Sequence, residues 1–183
     1  MATLAADSVR DYELGTINEL PVIANDIIYE GAAVGDNASG YARPLVAADP
    51  FRGFAESICD NTGGAAGDKR VRVRAEGLVK LPITALAITD VGKDVFASDD
   101  DTFTLTQSTN THIGYVYRWV STGYGIIKFK ANDGYIVELT DSSGGAAGNT
   151  INAIGATYAQ AEVNVAVASL AAKINGLIRR LNR

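Results

Sequence analysis

The chain has one cysteine, Cys59, and one histidine, His112, in 183 residues. A single Cys excludes an intramolecular disulfide framework, and one Cys with one His cannot supply a four-ligand Cys/His zinc site within the chain. No run of about 18 apolar residues occurs. The opening stretch Met1-Ala2-Thr3-Leu4-Ala5-Ala6-Asp7 has neither the basic segment nor the long apolar stretch of a signal peptide, so the expectation is a protein that neither spans a membrane nor follows the conventional secretory route. Cations are in deficit. Sixteen Lys+Arg against 21 Asp+Glu leave a formal charge of -5 and a pI near 4.8, which argues against a general nucleic-acid binder. What remains is the 47% apolar, 20% charged composition of an ordinary folded chain, at a length that fits one domain and an appendage.

Up to about residue 131, short stretches rich in Val, Ile, Tyr, Phe and Thr are repeatedly broken by Gly, Asn and Asp. That is the pattern of short strands joined by tight turns. Strands are expected at 19–24, 26–34, 41–47, 52–59, 70–81, 94–97, 102–106, 112–120 and 125–130, enough for a small β-sandwich or barrel. Alternation is cleanest from Lys69 to Glu76. There Val71, Val73 and Ala75 are expected to face a core, and Arg70, Arg72 and Arg74 to face outward. A solvated face accounts for such a row; an acidic partner would also fit it. Asp99, Asp100 and Asp101 lie between two apolar runs, as in a hairpin turn, and lack the longer oxygen-ligand spacing of an EF-hand loop. Gly63-Gly64-Ala65-Ala66-Gly67 reads as a mobile loop tip.

After Leu139 the composition shifts to small, nearly uncharged residues from Thr140 to Thr150, the composition of a linker. Thr157-Tyr158-Ala159-Gln160 then has the form of a capping box, which opens a helix running towards the C-terminus. Its apolar residues Val163, Val167, Leu170, Ile174, Leu177 and Leu181 are spaced 4, 3, 4, 3 and 4, the alternating steps of a coiled-coil heptad. Val167, Ile174 and Leu181 take the a positions, and Val163, Leu170 and Leu177 the d positions. Ala171 and Ile178 at e and Ala166 at g widen the stripe, which suits three helices better than two. A helix packed on its own β-domain is the alternative. Arg179, Arg180 and Arg183 at the C-terminal end favour the helix dipole and need no ligand to explain them.

Catalytic chemistry needs convergent groups, and neither a G-x-S-x-G nor an H-E-x-x-H pattern occurs. The run from Ala87 to Asp94 echoes a phosphate-binding loop but fails at both ends: Ala87 stands at the first Gly and Asp94 at the Ser/Thr after Lys93. His112 is expected in a structural role at the start of a strand, and Cys59 as a small core residue. The residues therefore point to no enzyme, no cofactor and no metal.

Several segments resemble the capsid decoration, or cement, proteins of tailed bacteriophages. They include Ile17-Asn18-Glu19-Leu20-Pro21-Val22, Gly40-Tyr41-Ala42-Arg43-Pro44-Leu45-Val46, Asp49-Pro50-Phe51-Arg52-Gly53-Phe54-Ala55, and Val71-Arg72-Val73-Arg74-Ala75-Glu76-Gly77, with further likeness at 86–93, 98–105 and 114–123. Together they cover most of residues 7–130. Segments 154–163 and 169–175 look like helical tails on other phage head proteins. The resemblance implies that the mainly β domain at 1–139 binds a capsid; composition and spacing add the linker at 140–156 and the oligomerising helix at 157–183. The resemblance further implies a non-enzymatic protein on the outer surface of the virion capsid, made in the bacterial host cytoplasm. Its partner would be the major capsid protein, with neither nucleic acid nor membrane; self-association as a homotrimer is the expectation from the helical stripe, since the resemblance does not decide between dimer and trimer. It transfers no catalytic motif; Arg70, Arg72 and Arg74 are candidate capsid contacts. A head fibre that attaches to host surfaces or glycans, using the Tyr115, Tyr117 and Trp119 region, is the rival expectation.

Overall fold

Alternation and turn chemistry give twelve strands in the computed structural model, which describes residues 15–131 and 160–181. In chain order they are β1 (Ile17–Pro21), β2 (Ile27–Ile28), β3 (Ala33–Asp36), β4 (Ala42–Pro44), β5 (Phe51–Ala55), β6 (Cys59–Asp60), β7 (Arg70–Arg74), β8 (Glu76–Pro82), β9 (Asp94–Ala97), β10 (Phe103–Thr104), β11 (Thr111–Ser121) and β12 (Tyr124–Lys130). The protein is mainly β, and every strand pair is antiparallel. One five-stranded sheet has the order β1-β7-β5-β3-β4, a second the order β10-β9-β11-β12-β8, and β2 pairs with β6 alone. A single parallel bridge joins the two edges of each large sheet, Val22 to Ala42 in the first and Ile83 to Phe103 in the second. Closure of this kind limits exposed edge hydrogen-bonding groups.

Two apolar clusters organise these layers. The larger contains Ala33, Leu45, Phe51 and Phe54 from in and beside the first sheet, with Leu81, Val95, Ile113, Val116, Ile127 and Phe129 from the second. The other collects Val22, Ile28, Val34, Ala42, Ala55, Cys59, Val71 and Val73, so the first sheet is buried on both faces. A bulge makes this possible. Val34 pairs with Gly53 while Gly35 pairs with Phe51, leaving Arg52 as the extra residue on β5. Phe51 and Phe54, three apart, thereby turn to the same face, and the extra Arg52 reaches Asp36, its Nη2 2.5 Å from Oδ2. Asp49 ties the sheets together at the next turn. Its carboxylate takes a bidentate pair of hydrogen bonds from Arg43 at 2.8 and 2.7 Å, and its main-chain oxygen accepts one from Thr111 Oγ1 of β11 at 2.9 Å.

Three expected strands are each two. The stretch 70–81 breaks at Ala75, where the chain leaves the first sheet as β7 and enters the second as β8; 26–34 breaks around Gly31, at φ +85°; and 52–59 divides into β5 and β6. Continuous β-type composition does not reveal which sheet a strand joins. The loop at 63–67, expected as a mobile tip, carries specific hydrogen bonds at its base. Fully buried Asn61 donates from Nδ2 to the carbonyls of Ile23 and Ala65 at 2.9 Å each, and Asn25 Oδ1 accepts from the Gly63 amide at 3.0 Å.

In the second compact unit, which begins at Asp133, one helix, α1 (Gln160–Leu181), is described. The expected linker at 140–156 and the Thr157 cap lie outside the described residues. No described helix is long and apolar enough to cross a membrane.

The Gly53 bulge can be tested by substitution. A Cβ there would lie 2.1 Å from the Arg74 carbonyl oxygen in a backbone at φ +121°. Gly53→Ala should cost about 3 kcal/mol or more, a close backbone clash added to backbone strain. Gly63→Ala, at φ +73° but with open space around it, should cost about 1 kcal/mol. Denaturant midpoints at constant m-value provide the comparison, and equal losses would reject the close approach as the constraint.

Candidate functional site

The arginine row sits where its alternation placed it. Val71 and Val73 are buried at 1% and 0% exposure, while Arg70, Arg72 and Arg74 are exposed. Two of the three share one carboxylate within the domain. Arg72 Nε donates to Glu56 Oε2 at 2.9 Å and Arg74 Nη2 to Glu56 Oε1 at 2.5 Å. Arg70 Nη1 donates to the Glu19 carbonyl oxygen at 3.3 Å, and Glu19 itself stands opposite Arg72 across the β1–β7 ladder. An open groove of about 670 Å³ runs beside the row, lined by Gly15, Thr16, Ile17, Asn18, Glu19, Arg70 and Arg72. One carboxylate shared between two arginines lowers the charge this row presents.

A second cationic surface escaped the sequence reading. On the outward face of β8, β12 and β11, paired residues form rows: Leu78–Lys128–Tyr115, Lys80–Ile126–Arg118 and Pro82–Tyr124–Ser121. Lys80, Lys128 and Arg118 are exposed, Leu78 is 56% exposed, and Lys80 Nζ lies 5.1 Å from the centre of the Tyr124 ring. The alternation of Lys with apolar residues in 76–82 and 124–130 was the available signal. It needed the register between strands far apart in sequence to become a surface.

Tyr115, Tyr117 and Trp119 do not share one face. A bulge between Val116 and Arg118 shifts the register, so Tyr115 pairs with outward Lys128 and Trp119 with inward Gly125. Trp119 packs on the large core, and Tyr117 is 52% exposed at the bulge. His112 lies second in β11, its ring 5.5 Å from Phe96 and its Nε2 3.8 Å from Asp94. Cys59 is buried in the smaller cluster, and burial pushes its thiol upward, with Lys69 opposing. The failed phosphate-loop echo is a 3-10 turn at Ile88–Asp90. Asp90 accepts from the Ala87 amide and pairs with Lys93 at 2.7 Å; the hydrogen bond from Lys93, then that amide, holds its carboxyl below the usual range.

The acidic hairpin is an Asx-type turn. Asp99 Oδ1 accepts from the amides of Asp101 and Thr102 at 3.0 and 2.7 Å. Burial alone would raise the Asp99 carboxyl, but hydrogen bonds from Asp101, Thr102 and Ser98 outweigh it and hold it down. Asp100 goes the other way, raised by burial and then by the neighbouring charges of Asp99, Asp101 and Asp26. Among the described residues, no three His, Cys, Asp or Glu side chains are grouped to hold a metal ion.

Along α1 the heptad stripe is open in part. Val167, Leu170 and Leu177 are 48%, 52% and 60% exposed, and Val163 and Ile174 are half-buried; the Leu181 side chain is outside the described set. Ala168 and Asn175 are buried on the adjoining flank, and of the residues expected to widen the stripe Ile178 is buried and Ala166 and Ala171 half-buried. Ser169 Oγ donates back to the Val165 carbonyl at 2.8 Å. No protein-family model matches the chain, and no curated protein is significantly similar to it.

The opposed shifts in the hairpin give a signed prediction. Because Asp100 is raised, its ionised form is disfavoured in the folded state, so the penalty is complete above its folded pKa and fades as pH falls towards the ordinary carboxylate value. Asp100→Asn should raise stability at pH 7 by a few tenths of a kcal/mol, kept small by solvent screening. Thermal unfolding should show that gain closing below about pH 4; a gain independent of pH would reject the charge explanation.

Proposed function

We propose that this is a non-enzymatic structural protein of a tailed-phage virion, which binds the outer surface of the assembled capsid and stabilises it by bridging capsid subunits. The observation that carries this reading is a β-body with charged outer faces together with a helix on which Val167, Leu170 and Leu177 of the a/d stripe are exposed. Apolar residues at Val167, Leu170 and Leu177 left open to water favour association with like helices, because burial of each is worth about 1.5–3 kcal/mol. The sequence resemblance to cement proteins supplies the shell as the partner. The protein itself is read as a homotrimer, joined by Val163, Val167, Leu170, Ile174, Leu177 and Leu181. A symmetric trimer meeting a symmetric lattice engages several equivalent contacts, so modest affinities combine. The rival head-fibre reading used the Tyr115, Tyr117 and Trp119 region as an outward surface, and Trp119, packed on the large core, contributes little to such a surface.

Replacing Leu170 and Ile174 by Asp would put six charges into a trimer's seam, each costing several kcal/mol when unpaired. Light scattering should give a trimer for the natural chain and a monomer for the double variant, with the β-body's thermal transition unchanged. Occupancy on purified capsids at limiting concentration should fall together with the shell's disruption temperature. A monomeric natural chain would reject the trimer, and failure of the natural chain to bind its cognate shell would reject the cement assignment.

A further inference from the structure

We infer that the outward face of β8, β12 and β11 is the docking surface of the β-body, and that its partner there is an acidic protein surface with apolar side chains between its carboxylates. The inference rests on the function proposed above, under which that partner is the outside of the capsid shell. It replaces the arginine row as the principal contact.

Charge carries the choice between the two faces. The three strands hold Lys80, Arg118, Lys128 and Lys130 against one carboxylate, Glu76, in a chain whose net charge is -5. Among the described residues, Lys80, Arg118 and Lys128 have no carboxylate within ion-pair distance. Lys80 and Arg118 flank Ile126 in one row, two strand spacings apart, or about 10 Å. Their charges are therefore separated by about one Debye length at 0.1 M salt and stay available to a partner. In the arginine row, by contrast, Glu56 already answers two of the three cations.

The interleaved side chains select a protein rather than a polyanion. Leu78, Ile126 and Tyr124 occupy the spaces between the cations, and Leu78 is more than half exposed. Phosphate backbones offer such side chains nothing to pack against, whereas apolar and aromatic centres ringed by charge are the anatomy of protein interfaces. Three strands by seven residues cover roughly 300 Å², well below the ~800 Å² per partner of a stable interface. One face alone should bind weakly; three faces on a trimer approach the area needed, which is why the coil and this face would act together.

The test uses full-length protein and purified shells lacking it, with two variants that remove the same number of charges. Lys80→Gln/Arg118→Gln/Lys128→Gln should weaken binding at least about 30-fold and flatten its salt dependence. Arg70→Gln/Arg72→Gln/Arg74→Gln should change it less than about threefold. Thermal melts confirm folding of both. Independently of any variant, acetylation of the natural chain on and off shells should show Lys80 and Lys128 protected and Lys69 unchanged. Equal losses in the two variants, the reverse order, or unprotected Lys80 and Lys128 on a bound shell would overturn the face while leaving the cement function standing. A natural chain that binds no shell would overturn both. Loss of duplex-DNA binding in the lysine variant with shell binding intact would overturn the partner's class.

Discussion

Phe54 meets Phe129 edge to face at 4.9 Å between ring centres, and Phe51 lies 5.3 Å from Phe54 and 6.3 Å from Phe129. These three rings join the first sheet to the second, and the remaining β architecture depends on their reaching one another. Strand periodicity alone would send Phe51 and Phe54 to opposite faces, since they are an odd number of residues apart. The extra residue Arg52 and the positive φ of Gly53 correct the parity. Apolar area is then removed from water on both faces of the first sheet, and edge-to-face pairs add about 0.5–1.5 kcal/mol each beyond their area.

From that packing follows the distribution of charge. Inward positions of β7, β8 and β12 are apolar, so their cations are driven to exposed positions on two different surfaces. Glu56, just after β5, lies within reach of Arg72 and Arg74 and answers them. No acidic residue of β11 or β12 does the same for Lys80, Arg118 and Lys128. Similar residue types thus have unlike electrostatic situations because of their neighbours across the sheet, which is what makes one face a surface salt-bridge network and the other an open cationic field.

Where sequence and structure agree, a short-range rule was in command. Val71 and Val73 in, Arg70, Arg72 and Arg74 out, is two-residue alternation along one strand, and α1 follows from 3.6-residue periodicity with no Gly or Pro before Gly176. Where they differ, the information was long-range. The break at Ala75 between β7 and β8 leaves no mark in composition, because both halves are good strand sequence that joins different sheets. The aromatic run Tyr115-Val116-Tyr117-Arg118-Trp119 carries no mark of the bulge between Val116 and Arg118 that leaves Trp119 paired with inward Gly125. Glycines at 63, 64 and 67 suggest a mobile tip, but buried Asn61 holds the loop through carbonyls of Ile23 and Ala65.

By itself, then, the sequence determined the β character of residues 15–131, the inward and outward sides of the arginine strand, the helix at 160–181 and the spacing of its apolar stripe. Each of these depends on propensity and on periodicity within a few residues. Tertiary structure alone decided which strands became neighbours, how two bulges re-aimed Phe51 and Trp119, that Glu56 would pair with two arginines at once, and that Lys80, Arg118 and Lys128 would share one face with Leu78 and Ile126. Those outcomes rest on contacts between segments tens of residues apart. Their register is set by burial of the whole core, and a one-residue slip would send every side chain to the other face.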